Sequence, residues 1–436
     1  MNDVRVSIET VGEIDRNINI EIPRALYDSR FNEALSNTVQ KVSLKGFRPG
    51  KAPKTMVAKL YGERLHAEVV EGLVSRAYDN AVKEHALRVV GQPEVTVDNE
   101  DKASDLKVTA KVSVFPQPEI KDFRDVSFEV EVEPFNAESV DARIEEIRGS
   151  LASFEKIEDK SQVTDGDVFV VDFDGLIDGA AFKGSKRENA VIEIGQGKFP
   201  PEFEDGIRQL GIGEEGEVEV TMPADFEDSE VAGKTATYKV TVRSMHRKLL
   251  PALDDEFAKK TGYAETFPEL REKVEFSMKR ETEEKNKRAR ENKLFQEIIN
   301  KNSFEIPKSM IEDEVRNILF EMRVLDPKDR RSYEVDVARF SEHLGGQAEF
   351  RVRKSVVLDR LIEQEKRTDV SDEALEAWLN KLATDAEQTR DELNKEIGFP
   401  KRKGWLKDVC ARQQLIDELL EGAKITEKIT EAAKKD

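Results

Sequence analysis

The chain of 436 residues contains one cysteine, Cys410, so it holds no disulfide framework and no cysteine-based zinc site. Its four histidines, His66, His85, His246 and His343, are scattered and form no pair at metal-ligand spacing. No apolar run reaches the 18 or so residues of a membrane-spanning helix. The first ten residues alternate charged and apolar side chains, unlike a secretory signal, and the expectation is a cytoplasmic protein without membrane contact. No Gly-x-Ser-x-Gly element is present. The stretch from Gly46 to Ala52 has three residues between its glycines where a phosphate loop has about four, and Ala52 stands where that loop needs Ser or Thr. Gly195-Gln196-Gly197 lacks the third glycine of a dinucleotide turn. Hydrolytic, kinase and dehydrogenase chemistry find no support, and neither a cofactor nor a metal is expected.

Charge is what the chain has in quantity. Seventy Lys and Arg face 90 Asp and Glu, a net charge of −20, and charged residues make up 37% against 38% hydrophobic. The apolar residues recur with clear periodicity, which excludes a fully disordered chain. Residues 1–112 carry 17 basic and 17 acidic side chains, so the whole negative excess lies beyond them. Lys41, Lys45, Arg48, Lys51, Lys54 and Lys59 fall in residues 41–60, which contain no Asp or Glu. A local basic patch on an acidic protein points to one anionic docking site, with a solvated basic loop as the plainer reading.

The length predicts about three domains. Val4, Val6, Ile8 and then Ile18, Ile20, Ile22 alternate as strands do, and Leu26, Phe31, Leu35, Val39 and Leu65 to Ala81 follow at helical spacing. Leu106 to Val114 alternates again, giving an α+β segment with helices on one face of a sheet. Pro116 and Pro118 then break the chain, an extended stretch runs to Pro134, and Val140, Ile144, Ile147 and Leu151 form a helical stripe; together these read as an ordered connector. Residues 155–247 alternate short β-type runs with glycines, the pattern of an antiparallel β domain. From Pro251 onward helical patterns dominate, ending in a frayed charged tail. The run Lys279–Lys293 has Ala289 as its only apolar residue, so a helix there either projects into solvent or bridges two packed ends. Val274 and Met278 on one side, with Leu294, Phe295, Ile298 and Ile299 on the other, supply such ends, and a projecting arm is the expectation.

Two stretches are specific. Gly46-Phe47-Arg48-Pro49-Gly50-Lys51 lies between two helical patterns. Val171-Asp172-Phe173-Asp174-Gly175 precedes Ile194-Gly195-Gln196-Gly197 and Phe203-Glu204-Asp205-Gly206. In this order, and followed by a charged helical part, they resemble the trigger factor family of bacterial ribosome-associated chaperones, over essentially the whole chain.

The resemblance implies a multidomain α+β protein. Residues 1–112 would form an N-terminal α+β ribosome-binding domain and 113–149 an extended connector packed on the C-terminal part. Residues 150–247 would form an FKBP-type peptidyl-prolyl isomerase domain, an antiparallel β half-barrel with a short helix. Residues 248–436 would form an all-α chaperone domain with projecting arms. Gly46, Phe47, Arg48, Gly50 and Lys51 would dock on the large ribosomal subunit near the exit tunnel, on a ribosomal protein and rRNA. Phe173, Phe182, Ile194, Phe199, Phe203, Phe226 and Tyr238 would line the proline pocket. Nascent and unfolded polypeptides are the implied clients, bound without ATP, and the free protein would form a weak homodimer. Met310, Ile318, Leu319, Phe320, Met322, Val324 and Leu325 are the candidate client surface, since methionine makes adaptable apolar contacts. Three positions depart from the FKBP pattern: Lys183 replaces an acidic residue, and Pro200 and Glu202 stand where an apolar residue and a glycine are expected. Pro200 has no N–H to offer a substrate. A chaperone scaffold whose isomerase domain is weak or inactive is therefore the alternative, and a free-standing isomerase with a coiled-coil tail is disfavoured by the lack of sustained heptads.

Overall fold

Isoleucine at every second position builds the first core. The computed structural model describes residues 4–44, 47, 51–98, 104–222, 231–386 and 388–430. Two units divide the chain: Met1–Val132 with Lys287–Lys428, and Glu133–Asn286 with Ile429–Asp436.

In the first unit, β1 (Arg5–Thr10), β2 (Asp15–Ile22), α1 (Arg24–Lys41), α2 (Lys54–Glu84), β3 (Val89–Val97) and β4 (Leu106–Val114) form the N-terminal part. The strands pair antiparallel in the order β1-β2-β4-β3. Ile18, Ile20 and Ile22 of β2 and Val108, Ala110 and Val112 of β4 share one face and pack on Val74, Ala77 and Ala81 of α2. Pro23 ends β2 and caps α1, and Pro53 does the same for α2, because each sets the φ that a helix start needs and lacks the N–H that would go unpaired there. The alternation reading passes over β3. Gly91 and Pro93 interrupt it, its register shifts between Val90 and Glu94, and Val95 and Val97 stay exposed.

A connector then leads to β5 (Ser127–Val132). The second unit holds α3 (Ser139–Ser150), β6 (Ser153–Ile157), β7 (Val168–Ile177), β8 (Ala180–Glu193), α4 (Pro201–Arg208), β9 (Glu215–Thr221), β10 (Thr235–Leu249), α5 (Asp255–Thr261) and the first part of α6 (Phe267–Lys301). Val140 and Ile144 of α3, Phe257 of α5 and Leu270 of α6 make a small separate core. The remainder of α6 returns to the first unit with α7 (Lys308–Glu321), α8 (Ser341–Gln364), α9 (Asp372–Asp385), α10 (Arg390–Ile397), α11 (Lys403–Gly422) and β11 (Lys424–Ile429). Leu294, Phe295 and Ile298 of α6, Val356, Val357 and Leu361 of α8, and Leu415 and Leu419 of α11 are buried together, with Phe128 and Val130 of β5 laid over them. Of the stretch expected to fray beyond the last helix, Lys424–Ile429 is β11, which pairs with β5, and residues 431–436 lie outside the described residues. Lys428 meets Glu129 across that pair.

The connector is held by amide side chains. Asn302 accepts the Lys121 N–H at 2.8 Å and donates to the Lys121 carbonyl at 2.8 Å. Gln364 does the same for Ile120, at 3.1 and 3.2 Å. Asn286 does it for Glu133, at 2.9 and 2.8 Å. An amide offers one donor and one acceptor in the geometry of a backbone peptide group, so each side chain substitutes for a strand neighbour. The expectation of a free-standing arm over Lys279–Lys293 is corrected accordingly. The packed ends of α6 are as expected, but its polar middle is a bridge: Asn286 is buried, Lys285 pairs with Glu133, Lys287 with Asp417, and Arg290 with Glu427.

Asn302→Asp would replace the donor facing the Lys121 carbonyl by a second acceptor. We expect chemical denaturation of the full chain to show a loss of about 2–4 kcal/mol, against less than about 0.5 kcal/mol for the exposed neighbour Lys301→Gln.

Candidate functional site

The site is built on the half-barrel. β10 pairs with β7 along its length, with β9 at its first half and with β6 at its second, and β8 closes the other side of β7. Phe169, Val171, Ile192, Val220, Val240 and Val242 fill the space between the sheet and α4. Pro201 opens α4 at a position that needs no N–H, and its Phe203 and Ile207 point inward.

Register sets the aromatic cluster. Tyr238 of β10 lies directly opposite Gly175 of β7, and Val240 opposite Phe173. The Tyr238 ring lies across Gly175: a Cβ there would fall 2.5 Å from Tyr238 Cε1. Only glycine admits this approach. With the ring in that place, Phe203 meets Tyr238 edge-on at 5.1 Å between centroids and Phe173 at 5.6 Å, while Phe173 and Tyr238 stand 5.8 Å apart. Phe182 reaches Tyr238 at 6.2 Å, and Phe199 stacks on Phe203 at 5.5 Å. Edge-to-face contacts of this kind add to the apolar burial of each ring. Phe203, Phe173 and Tyr238 are buried in the cluster, and Phe182 and Phe199 are half-buried against it. Burial pushes the Tyr238 phenol up, so it keeps its proton at neutral pH and remains a hydrogen-bond donor.

Of the seven expected pocket residues, the structure brings together Phe173, Phe182, Phe199, Phe203 and Tyr238. Ile194 is fully buried just after β8, in the same core. Phe226 lies outside the described residues, as does the side chain of Lys183. Pro200 caps α4, and its carbonyl accepts the Phe203 N–H at 2.9 Å. Two supporting carboxylates went unassigned in the sequence reading. Glu204, buried behind Phe203, accepts the Gly195 N–H at 2.7 Å and so holds the turn after Ile194. Asp172 accepts the Asn189 N–H at 2.7 Å and pairs with Arg243, which together hold its carboxyl below the ordinary range and fix β8 to β7. The motif order was the available signal for Glu204, since it follows Phe203 directly.

At the docking loop, Phe47 is partly exposed and Lys51 is exposed; Gly46, Arg48 and Gly50 lie outside the described residues. The client candidates divide. Met322 and Val324 are exposed at 59% and 54%, whereas Ile318 and Leu319, at 2% each, sit in a core with Val315, Val337 and Ala348. Met310 and Leu325 are half-buried against neighbouring cores, and Phe320 packs on Tyr333. An open surface containing Ile318 and Leu319 is thereby corrected: the stripe of α7 faces α8.

Three family models match. Residues 4–147 match the bacterial trigger factor protein, 266–421 its C-terminus, and 159–243 the FKBP-type peptidyl-prolyl cis-trans isomerase. The trigger factor of Anoxybacillus flavithermus is 31% identical over 418 residues, covering 94% of this chain and 96% of its own. The chain belongs to the trigger factor family. Trigger factors of Geobacter sp. (strain M21) and Geobacter metallireducens are 31% and 29% identical, each covering 97% of this chain and 98% of its own. A solved structure described as "Promiscuous Substrate Recognition in Folding and Assembly Activities of the Trigger Factor Chaperone" aligns over 96% of this chain and 99% of that one at 22% identity, with a TM-score of 0.43 that is too low to carry the fold. As a trigger factor family member the chain is a folding chaperone, and its half-barrel is an FKBP-type peptidyl-prolyl isomerase domain. Among the described residues no helix is long and apolar enough to cross a membrane.

Tyr238→Phe keeps the ring on Gly175 and removes the hydroxyl alone. We expect it to fold as the parent does and to lower kcat/KM on a proline peptide about tenfold, the worth of one lost hydrogen bond. Gly175→Ala drives a methyl into the ring and is expected to lower both stability and activity. A protease-coupled peptide assay with parallel thermal melts separates the two.

Proposed function

We propose that the protein docks on the large ribosomal subunit beside the exit tunnel, receives nascent and unfolded polypeptides in the cytoplasm without ATP, and isomerises X–Pro bonds in the pocket around Phe203 and Tyr238. The working divisions are 1–112 for docking, 113–149 as connector, 150–247 for isomerisation and 248–436 for client binding, with weak self-association off the ribosome.

The aromatic cluster carries this reading. Rotation about an X–Pro bond faces a barrier of about 20 kcal/mol that comes from amide resonance. The twisted amide is less polar than the planar one, so a pocket that strips water from the carbonyl favours it. Phe173, Phe203 and Tyr238 supply that dry floor, Phe182 and Phe199 the rim, and the Tyr238 hydroxyl a donor for the substrate carbonyl. Phe226, from sequence, completes the lining. One observation favours a second reading, a chaperone whose isomerase is weak. Pro200 cannot donate an N–H where an apolar residue would. A peptide isomerisation rate no faster than the uncatalysed one would select it.

Docking rests on the acid-free basic stretch and on Phe47, part-exposed between α1 and α2. Client binding rests on Met322 and Val324, exposed after the end of α7.

Phe47→Ala, Arg48→Ala and Lys51→Ala together are expected to abolish cosedimentation with ribosomes while far-UV circular dichroism and peptide isomerisation stay unchanged. Parent binding should weaken as salt rises. Met322→Asp with Val324→Asp is expected to lose much of the delay in aggregation of an unfolded model protein; an unaltered delay would move client binding elsewhere on the chain.

A further inference from the structure

One edge of the N-terminal sheet is left bare on the side that elsewhere forms its core. Val95 of β3 stands beside Ala110 of β4 and Ile18 of β2, and Val97 stands beside Val108 and Ile20. All six lie on the face that packs on α2. Ile18, Ile20, Val108 and Ala110 are at most 1% exposed, whereas Val95 and Val97 are 50% and 45% exposed. The helix covers the two central strands and leaves the valines of β3 in water.

The backbone of this strand is open as well. β3 is last in the order β1-β2-β4-β3, so one side of it faces no strand. The Asp98 N–H donates to the Lys107 carbonyl at 2.9 Å, which marks these two as a hydrogen-bonded pair. Such pairs alternate along an antiparallel ladder, so Thr96 and Glu94 also turn their N–H and C=O toward β4. Val95 and Val97 turn theirs outward, and those four groups meet no partner among the described residues. The earlier half of β3 is closed off. Gly91 lies against α7, where a Cβ would fall 2.8 Å from Ser309 Cβ, and Pro93 has no N–H to offer. The open run is therefore 94–98.

Two carboxylates flank this run on the outer face of the sheet. Glu94 makes no ion pair among the described residues, and Asp98 accepts the Thr109 hydroxyl at 2.6 Å. Their placement decides what the edge can take. A second copy of β3 laid antiparallel, with Val95 beside Val97, would set Glu94 opposite Asp98 at both ends. Like charges directly opposite destabilise a strand pair. The same acids favour a strand that carries Lys or Arg at both ends.

We propose that the edge at 94–98 takes an extended segment of an unfolded polypeptide as an added antiparallel strand. Its apolar side chains lie beside Val95 and Val97, and its basic side chains beside Glu94 and Asp98. This rests on the reading of the protein as a receiver of unfolded chains, and it adds a contact on the N-terminal part. Main-chain hydrogen bonds supply the attraction, and alternate side chains set the preference. Only two residues of β3 offer such bonds, so the contact is weak and readily released.

The test uses a fluorescently labelled decapeptide with Lys-Val-Thr-Val-Lys at its centre and no proline. It is titrated into full-length protein carrying Met322→Asp and Val324→Asp, so the surface after α7 and this edge are read separately. Saturable binding by fluorescence anisotropy is expected. Methylating the backbone nitrogens of the two peptide valines removes the N–H groups that face Val95 and Val97. That should weaken binding about fivefold or more. Val95→Pro removes one outward N–H without touching the ladder to β4, and should weaken binding to a similar degree. Glu94→Lys should weaken binding of this peptide and strengthen that of its Glu-Val-Thr-Val-Glu counterpart. Thermal melts and proline-peptide isomerisation serve as folding controls and should not change with Glu94→Lys. Absence of binding, equal binding of the methylated peptide, or binding that Glu94→Lys leaves unaltered overturns the proposal. A concentration-dependent dimer that Val95→Pro abolishes also overturns it, because the edge would then belong to a second copy.

Discussion

Three amide side chains hold the connector along its course, and the backbone path there depends on them. Between Ile120 and Glu133 the chain crosses helices, and apart from β5, which pairs with β11, it has no strand beside it. A backbone passing over helices exposes N–H and C=O groups that water cannot fully reach. Gln364, Asn302 and Asn286 each answer one peptide unit with a donor and an acceptor together. Asn286 also pins the point where the chain departs for the isomerase domain to the point where α6 returns, so a 153-residue excursion begins and ends at one hydrogen-bonded residue pair. Closing so long a loop carries an entropic cost that grows only slowly with length, and a buried, doubly bonded clasp is a sufficient device for it.

The isomerase site depends on the same economy of contact. A single glycine, Gly175, lets Tyr238 cross β7, and the ring then fixes the places of Phe173 and Phe203. Glu204 and Asp172 hold the turn after Ile194 and the β7–β8 pairing on which the rings are carried. The pocket therefore needs neither a nucleophile nor a metal to act on an amide whose barrier is electronic.

Much of this was legible in the residues. The Ile18-Ile20-Ile22 alternation and the glycine punctuation of 155–247 announced the two sheets, and the five aromatics that cluster, Phe173, Phe182, Phe199, Phe203 and Tyr238, could be named through the family resemblance of the motifs around them. Other features were hidden for physical reasons. β3 is broken by Gly91 and Pro93 and half-exposed, so it carries no period. β11 is a charged edge whose strand character comes from its partner β5. Ile318 and Leu319 look like any apolar stripe, and only the position of α8 decides that they are covered. Asn286 sits inside a run of Lys, Arg and Glu, where a lone asparagine has no signature at all.

The clasps share one further property. None of the three amides carries a charge or takes up a proton, in a chain where 37% of residues are charged. Surface ion pairs such as Lys428–Glu129 weaken with added salt and with acid. The amide seam does neither, so its share of the hold on the connector persists where ion pairs such as Lys285–Glu133 and Arg124–Glu365 weaken.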